Sequence, residues 1–575
     1  MNRVTRLLAL APLALASACA SQVGTAGQAA APTVAGAPPP PGTSAYGLFL
    51  AGQAAVENGR EAEAAALFGR ASEMDPANGL IGAEAFDAAL LAGQVDRAAK
   101  LAPSGPDSPP EVRRLGLLAR GVAAMAEGRG KEAHLLLSGP EAGPAVNPAA
   151  ALVAPFAAAM AKDRQGAITR PVMTDDPVDQ FQADLDQGEI FEHLGRYDEA
   201  ETAFRSLIAR GDPGELASLE LGEMFERRGR AADAAEVYKE ALARDPGETR
   251  ISAALARVGT HGRAPPLASI RDEAARALLA PAAALILEKN DDGALACLRL
   301  SLRLDPDLDQ GWVLVGDVMS EKGDVAAART AYGTPGPKSP QYAEASGKLA
   351  WSYQNAGDKK TALATAQKAY LADPNSEVAA VNLADLERAD GKDHDSVDVL
   401  DRLINKPGER RDWRLLYMRA AAYQEEGRWP AAERDLEAAL KLAPDQPDLL
   451  NFLGYSWIDR GENLKQAVQM VQKAVDLDPQ SGAMLDSLGW GYYRLGDYKT
   501  AVAKLEDAAA LDAGDPDVNN HLGDAYWKVG RRAEAQFQWR RVLSLEPNAK
   551  LRSEIEIKLK SGPNDQMTPS DLDGS

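Results

Sequence analysis

Thiols, imidazoles and closely spaced carboxylates are the groups through which this chain could do chemistry, and their placement argues against catalysis. The 575 residues contain two cysteines, Cys19 and Cys297. Cys297 precedes Leu298 in an apolar stretch; without a free partner it is expected to be a buried structural thiol, which also removes any cysteine-based metal site. The five histidines, His134, His193, His261, His394 and His521, lack the spacing of metal ligands or of a catalytic triad and are expected to be solvated or capping residues. Asp305, Asp307 and Asp309 alternate, but the glycine and terminal glutamate of a calcium loop are missing, so they read as a solvated turn. There is no phosphate loop, no Gly-x-Ser-x-Gly elbow and no His-Glu-x-x-His. The chain therefore reads as non-enzymatic, with no metal, no cofactor and no small-molecule substrate expected. Its formal charge of −21 disfavours nucleic acid and anionic lipid surfaces and favours basic partners.

Cys19 is the exception, because its position suggests chemistry done to the chain. Arg3 and Arg6 precede an apolar run from Leu7 to Ala16, and Ala16-Ser17-Ala18 ends it with small residues. This is the pattern of a secretory signal over residues 1–18, and the run is too short to span a bilayer. Ala16-Ser17-Ala18 suits ordinary signal peptidase, which would release a soluble periplasmic protein. Leu15-Ala16-Ser17-Ala18-Cys19 is similar to a relaxed bacterial lipobox whose leucine is displaced by one. A cysteine at the cleavage boundary of a chain with only two favours the second reading. The resemblance to bacterial lipoproteins implies diacylglycerol on Cys19, further acylation of the new amino terminus and stable anchoring. Ala20 and Ser21, with no aspartate, imply the outer membrane, facing the periplasm. Residues 19–44 are rich in Ala, Gly, Pro, Thr and Ser and include Pro38-Pro39-Pro40-Pro41, which suits a lipidated, disordered tether. At about 3.1 Å per residue it could reach roughly 75 Å.

The rest of the chain repeats. Gly489 and Gly523 lie 34 residues apart, as do Gly188 and Gly222, while Ala282, Gly316, Ala350 and Ala384 follow one another at that step. Alanines fall twelve residues after these anchors, as at Ala200, Ala234, Ala501 and Ala535, and large apolar residues four later, as at Phe204, Tyr238, Leu505 and Trp539. Most units close on a proline, as at Pro246, Pro306, Pro374, Pro444, Pro479 and Pro547, which ends a helix because it lacks an amide hydrogen. Small residues let paired helices approach, and the large residue is expected to plug the gap between neighbouring units. The step from Gly454 to Gly489 is 35, which places an inserted residue in the turn Gly461-Glu462-Asn463-Leu464. With its period of 34 and its L-G-x-x-Y…A…F/Y/W…A…P pattern, the sequence resembles the tetratricopeptide repeat family. That resemblance implies an all-α fold, an α-solenoid whose antiparallel helix pairs form a right-handed superhelix and touch only their neighbours. The division expected is degenerate repeats over 45–178, a repeat pair over 181–246, an irregular helical connector over 247–274 and a contiguous array over 275–547. A capping helix over 548–560 and a disordered tail over 561–575 follow.

In tetratricopeptide proteins the concave wall is lined by first-helix residues at set offsets from the small anchor. Carried onto the last three units, the resemblance implies a partner-binding wall of Asn451, Tyr455, Ile458 and Asp459, of Asp486, Trp490, Tyr493 and Arg494, and of Asn520, Asp524, Trp527 and Lys528. Four aromatics on one wall stand out in a chain with only 6% aromatic residues, and such rings are favoured anchors for a bound polypeptide. Tyr492, Tyr526 and Trp457 occupy a slot that packs between helices. The lysine and asparagine clamp that some relatives use for an acidic carboxyl terminus is not reproduced, because Asp486 and Asp524 stand there. The closing units, Asp486-Ser487-Leu488-Gly489-Trp490 and His521-Leu522-Gly523-Asp524, resemble the ends of large proteobacterial outer-membrane repeat lipoproteins, among them the lipoprotein partners of carboxyl-terminal processing proteases. That likeness implies a periplasmic adaptor joining a protease or other envelope enzyme to its protein substrates. The alternative is a structural scaffold or assembly factor for an outer-membrane export, polysaccharide or pilus machine.

Overall fold

The computed structural model describes residues 44–103, 108–139, 142, 148–173, 177–405 and 412–562. The expected signal segment, Cys19, the tether up to residue 43 and the tail from residue 563 lie outside the described residues. Helices joined by short turns make up what is described, with no strand among the described residues. None of these helices is long and apolar enough to cross a membrane.

The turn inside each helix pair explains the repeat better than the prolines do. Gly195, Gly229, Gly323, Gly357, Gly391, Gly427, Gly461, Gly496 and Gly530 all take positive φ, between 70° and 85°, where a Cβ is strained and glycine ends a helix most easily. The same marker runs through the worn amino-terminal region at Gly59, Gly93 and Gly128. Lys162 and Lys289 adopt positive φ in the same slot, one 34-residue step after Gly128 and one before Gly323. Residues 79–101 and 148–168 thus form pairs, Gly79–Leu91 with Val95–Leu101 and Pro148–Met160 with Arg164–Ile168. Pro155 sits inside its helix and does not end it.

Packing within a pair follows the small anchor. A Cβ added to Gly188, Gly222, Gly316, Gly489 or Gly523 would lie 2.5 Å from Phe204, 2.1 Å from Tyr238, 2.3 Å from Tyr332, 2.6 Å from Leu505 or 2.5 Å from Trp539. The large residue therefore closes onto the glycine of its own pair, not into a gap between neighbouring pairs as its sequence position suggested. Burying such a side chain contributes about 1.5–3 kcal/mol. Gly454 meets Val471 instead, one position later, because the turn at Gly461 and Asn463 carries the extra residue and both take positive φ.

Two compact units divide the described chain, residues 44–352 and 353–562. The second is a plain stack of pairs from Lys359–Ala372 to Arg532–Ser544, ended by the helix Ala549–Ser561. The first is not, because its amino-terminal helices return against helices some 200 residues later. Arg299 Nε donates to the Leu91 carbonyl at 3.0 Å, Arg303 pairs with Asp96 at 2.9 Å and Lys322 with Glu61 at 3.0 Å. One apolar core runs from Phe86 to Tyr332. The turn comes after Thr249–Gly259, where residues 260–269 are non-helical, and Ile270–Ala277 leaves the stack to pack on Pro148–Met160, Pro177–His193 and Asp291–Leu304. That helix brings Glu273 to 2.7 Å from His193 and Arg276 to 3.4 Å from Glu189. Burial pushes the Glu273 carboxyl up to about 8, with Arg276 opposing, and Glu189 up to about 7, with the Glu273 charge adding to it.

Candidate interaction site

The helix Gly482–Leu495 starts at Ser481, whose side chain accepts from the Met484 amide, and stops at Gly496 in the left-handed region. Its neighbour Pro516–Lys528 starts at Asp515, which caps the amides of Asp517 and Val518. Asp486, Trp490 and Tyr493 fall at i, i+4 and i+7, so they share one face of the first helix. His521, on the neighbouring helix 35 residues after Asp486, faces it.

Three planar groups stack there. Trp490 lies parallel to Tyr493 with centroids 4.6 Å apart and 10° between planes, and parallel to His521 at 4.3 Å and 15°. Tyr498 meets Tyr493 edge-on at 5.3 Å, and Lys528 Nζ lies 5.6 Å from the Tyr498 ring. Trp490 and Tyr493 remain half-buried, whereas Asp486 and His521 are buried. His521 Nδ1 sits 2.9 Å from Asp486 Oδ2. Burial works against the imidazolium, but the charge of Asp486 and its hydrogen bond, with Asp517 and Asp524 behind, outweigh it and raise the His521 pKa above 6.5. Burial likewise raises the carboxyl of Asp517, against the pull of His521. Trp490 Nε1 and Asn451 Oδ1 are buried without a hydrogen-bond partner among the described residues.

The expected wall thus separates into two groups. Asp486, Trp490 and Tyr493 form the stack with His521. Tyr455 is half-buried near it; burial raises its pKa, with contributions from Asp459, Asp486 and Asp517, and Arg494 donates to the Asp459 carbonyl at 2.8 Å. Asn520 and Asp524 are occupied by the chain itself, because Lys558 of the last helix reaches both at 2.8 Å, and Trp539 Nε1 donates to Asp524 at 3.1 Å. Trp527 goes with this group, 5.5 Å from Trp539 and under the Arg532 guanidinium at 4.6 Å. Trp457 and Tyr526 pack between helices, bonded to Glu433 and Glu506 of the preceding pair.

The histidines correct the sequence reading in part. His521, expected to be solvated or capping, is buried, because the helix Pro516–Lys528 packs against Gly482–Leu495 and sets its imidazole 2.9 Å from Asp486. His193 is mostly enclosed beside Glu273, while His394 is exposed. The available signal was an aspartate three residues before one anchor glycine and a histidine two residues before the next. Cys297 is buried and free, its thiol pushed up to about 12 by burial. No group of His, Cys, Asp and Glu that could hold a metal ion occurs among the described residues.

Fold and site together define an all-helical repeat scaffold, a tetratricopeptide-type α-solenoid in its helix pairs. Family models described as tetratricopeptide or TPR repeats match residues 185–249 and 417–482, 348–376, 491–530 and 516–549, so these segments are similar to tetratricopeptide repeats. Over 113 residues the chain is 34% identical to the TPR repeat-containing protein PA4667 of Pseudomonas aeruginosa, a match spanning 20% of this chain and 19% of that protein. Among solved structures, the Cut9–Hcn1 hetero-tetramer of APC/C aligns at 16% identity over 90% of this chain and 96% of that one, with a TM-score of 0.39. A thermophilic TPR protein of Thermus thermophilus aligns at 22% identity over 32% of this chain and 100% of that one, with a TM-score of 0.29. The fold is read from this chain's own helix pairs.

Proposed function

We propose that the protein is a non-enzymatic adaptor whose closing repeats hold a protein partner through the Trp490–Tyr493–His521 stack. Tetratricopeptide repeats generally serve as interaction modules, and the stack is the observation that carries the reading. Parallel half-buried rings beside a charged pair offer an apolar surface with polar ends, the chemistry on which polypeptide side chains stack. The arginines and apolar run before Cys19 support a lipid anchor at the periplasmic face of the outer membrane. An adaptor so held would bring an envelope enzyme, such as a carboxyl-terminal processing protease, together with its protein substrates.

The test is co-purification from crosslinked membranes, comparing the native chain with Trp490→Ala/Tyr493→Ala. Capture of a soluble protease that the double variant loses, with an unchanged helical melt, supports the adaptor. Capture of an integral-membrane assembly instead favours the machine scaffold, and loss of the fold in the variant would make the rings core residues and sink the proposed surface.

A further inference from the structure

The first unit contains a cavity of about 380 Å³ that no repeat forms by itself. Its walls come from Gly79–Leu91, Pro110–Ala126, Leu279–Leu287 and Asp291–Leu304, so it exists only because the amino-terminal helices return against the later ones. Leu90, Leu115, Leu118, Leu285 and Cys297 make the lining mainly apolar, and the volume lies within the range of about 300–1,000 Å³ usual for ligand sites.

Every charged side chain that lines it is acidic: Asp87, Glu111 and Asp292. Glu111 is exposed, and Asp292 is paired with Lys322, which also holds Glu61. Asp87 makes no ion pair among the described residues, and no lysine or arginine lines the cavity. Arg299 lies close by but spends its guanidinium on the Leu91 carbonyl. Burial, then the charges of Glu84 and Asp292, push the Asp87 carboxyl up to about 6, so at neutral pH it is a charge in search of a counter-charge.

We propose that this cavity takes an apolar side chain of a partner polypeptide that carries a lysine or arginine beside it, the apolar part filling the leucine walls and the cation meeting Asp87. Complementarity to Asp87 and the exposed Glu111, within a chain of net charge −21, selects a basic partner over an acidic one. The site is separate from the Trp490 stack, and each can fail without the other.

Fluorescence anisotropy on the purified full chain tests it, with fluorescein-labelled Gly-Ser-Leu-Leu-Lys-Arg-Ser-Gly and its Leu-Leu-Glu-Glu counterpart as probes. The basic peptide is expected to bind at least about tenfold more tightly than the acidic one, and Asp87→Asn to remove most of that preference. Leu115→Trp, which fills the cavity, is expected to abolish binding. Should that variant not fold, photoleucine in place of the two leucines maps the contact independently, with adducts expected on Gly79–Leu91 or Pro110–Ala126. No binding at millimolar peptide, equal affinity for both peptides, indifference to Asp87→Asn, or adducts confined to residues 447–528 would each overturn the proposal.

Discussion

Replacing Asp486 by asparagine isolates the one charge pair inside the aromatic stack. Asp486 is 6% exposed and His521 8% exposed, so the bond between them is screened little by water. A hydrogen bond to a charged group in such a place contributes about 1.5–3 kcal/mol. Asparagine keeps the size and an acceptor but removes the charge. The sign follows from linkage: the folded pKa of His521 is raised above the unfolded value of about 6.5, so its stabilisation is fully present below that value and is lost as pH rises through the folded pKa. Asp486→Asn should therefore lower the melting temperature of the second unit at pH 6 by about 3–12 °C, taking about 2–4 °C per kcal/mol for a unit of this size. As pH rises through the folded pKa of His521 the native imidazolium is lost, so the difference at pH 9 should be smaller than at pH 6. Circular dichroism melts at the two pH values, with an NMR titration of the His521 ring protons, provide the readout. A melting difference that is the same at pH 6 and pH 9, or a His521 pKa at or below 6.5 in the native chain, would refute the reasoning.

Gly222→Ala should destabilise the first unit by about 1–3 kcal/mol through overpacking, because Tyr238 is fully buried and its hydroxyl is held by Glu226, so the ring cannot retreat; a neutral denaturant midpoint would count against it. Lys558→Met leaves Asp524 buried without its cation and should cost about 3–5 kcal/mol, read as early melting of the carboxyl-terminal repeats by hydrogen exchange. Glu273 has a raised pKa, so its contribution is present at acid pH and falls as pH rises from about 4.5 through about 8; the first unit should melt lower at pH 9 than at pH 6, and Glu273→Gln should flatten that slope. Cys19→Ala should move the protein from the membrane fraction to soluble periplasm, and unchanged detergent-dependent fractionation would dismiss the anchor.

What the sequence determined was local and periodic. A small anchor, an alanine twelve residues on and a large side chain sixteen on gave the period and the helix pairs, but not the partner of the large side chain: spacing pointed Tyr238 and Trp539 at the gap between units, whereas they close onto Gly222 and Gly523 of their own hairpins. The acidic, aromatic character of the last first-helix faces was also readable from spacing. The tertiary structure decided which of those side chains remain available. Lys558 sits in a helix beyond the last repeat, and its claim on Asn520 and Asp524 follows from how that helix caps the stack, which no repeat register encodes. His521 could be assigned to Asp486 only once neighbouring helices were placed side by side, because burial depends on both. Farthest from the sequence is the return of residues 79–126 onto 279–304. Nearest-neighbour periodicity says nothing about contacts between helices some 200 residues apart, and these depend on where one non-helical connector redirects the chain.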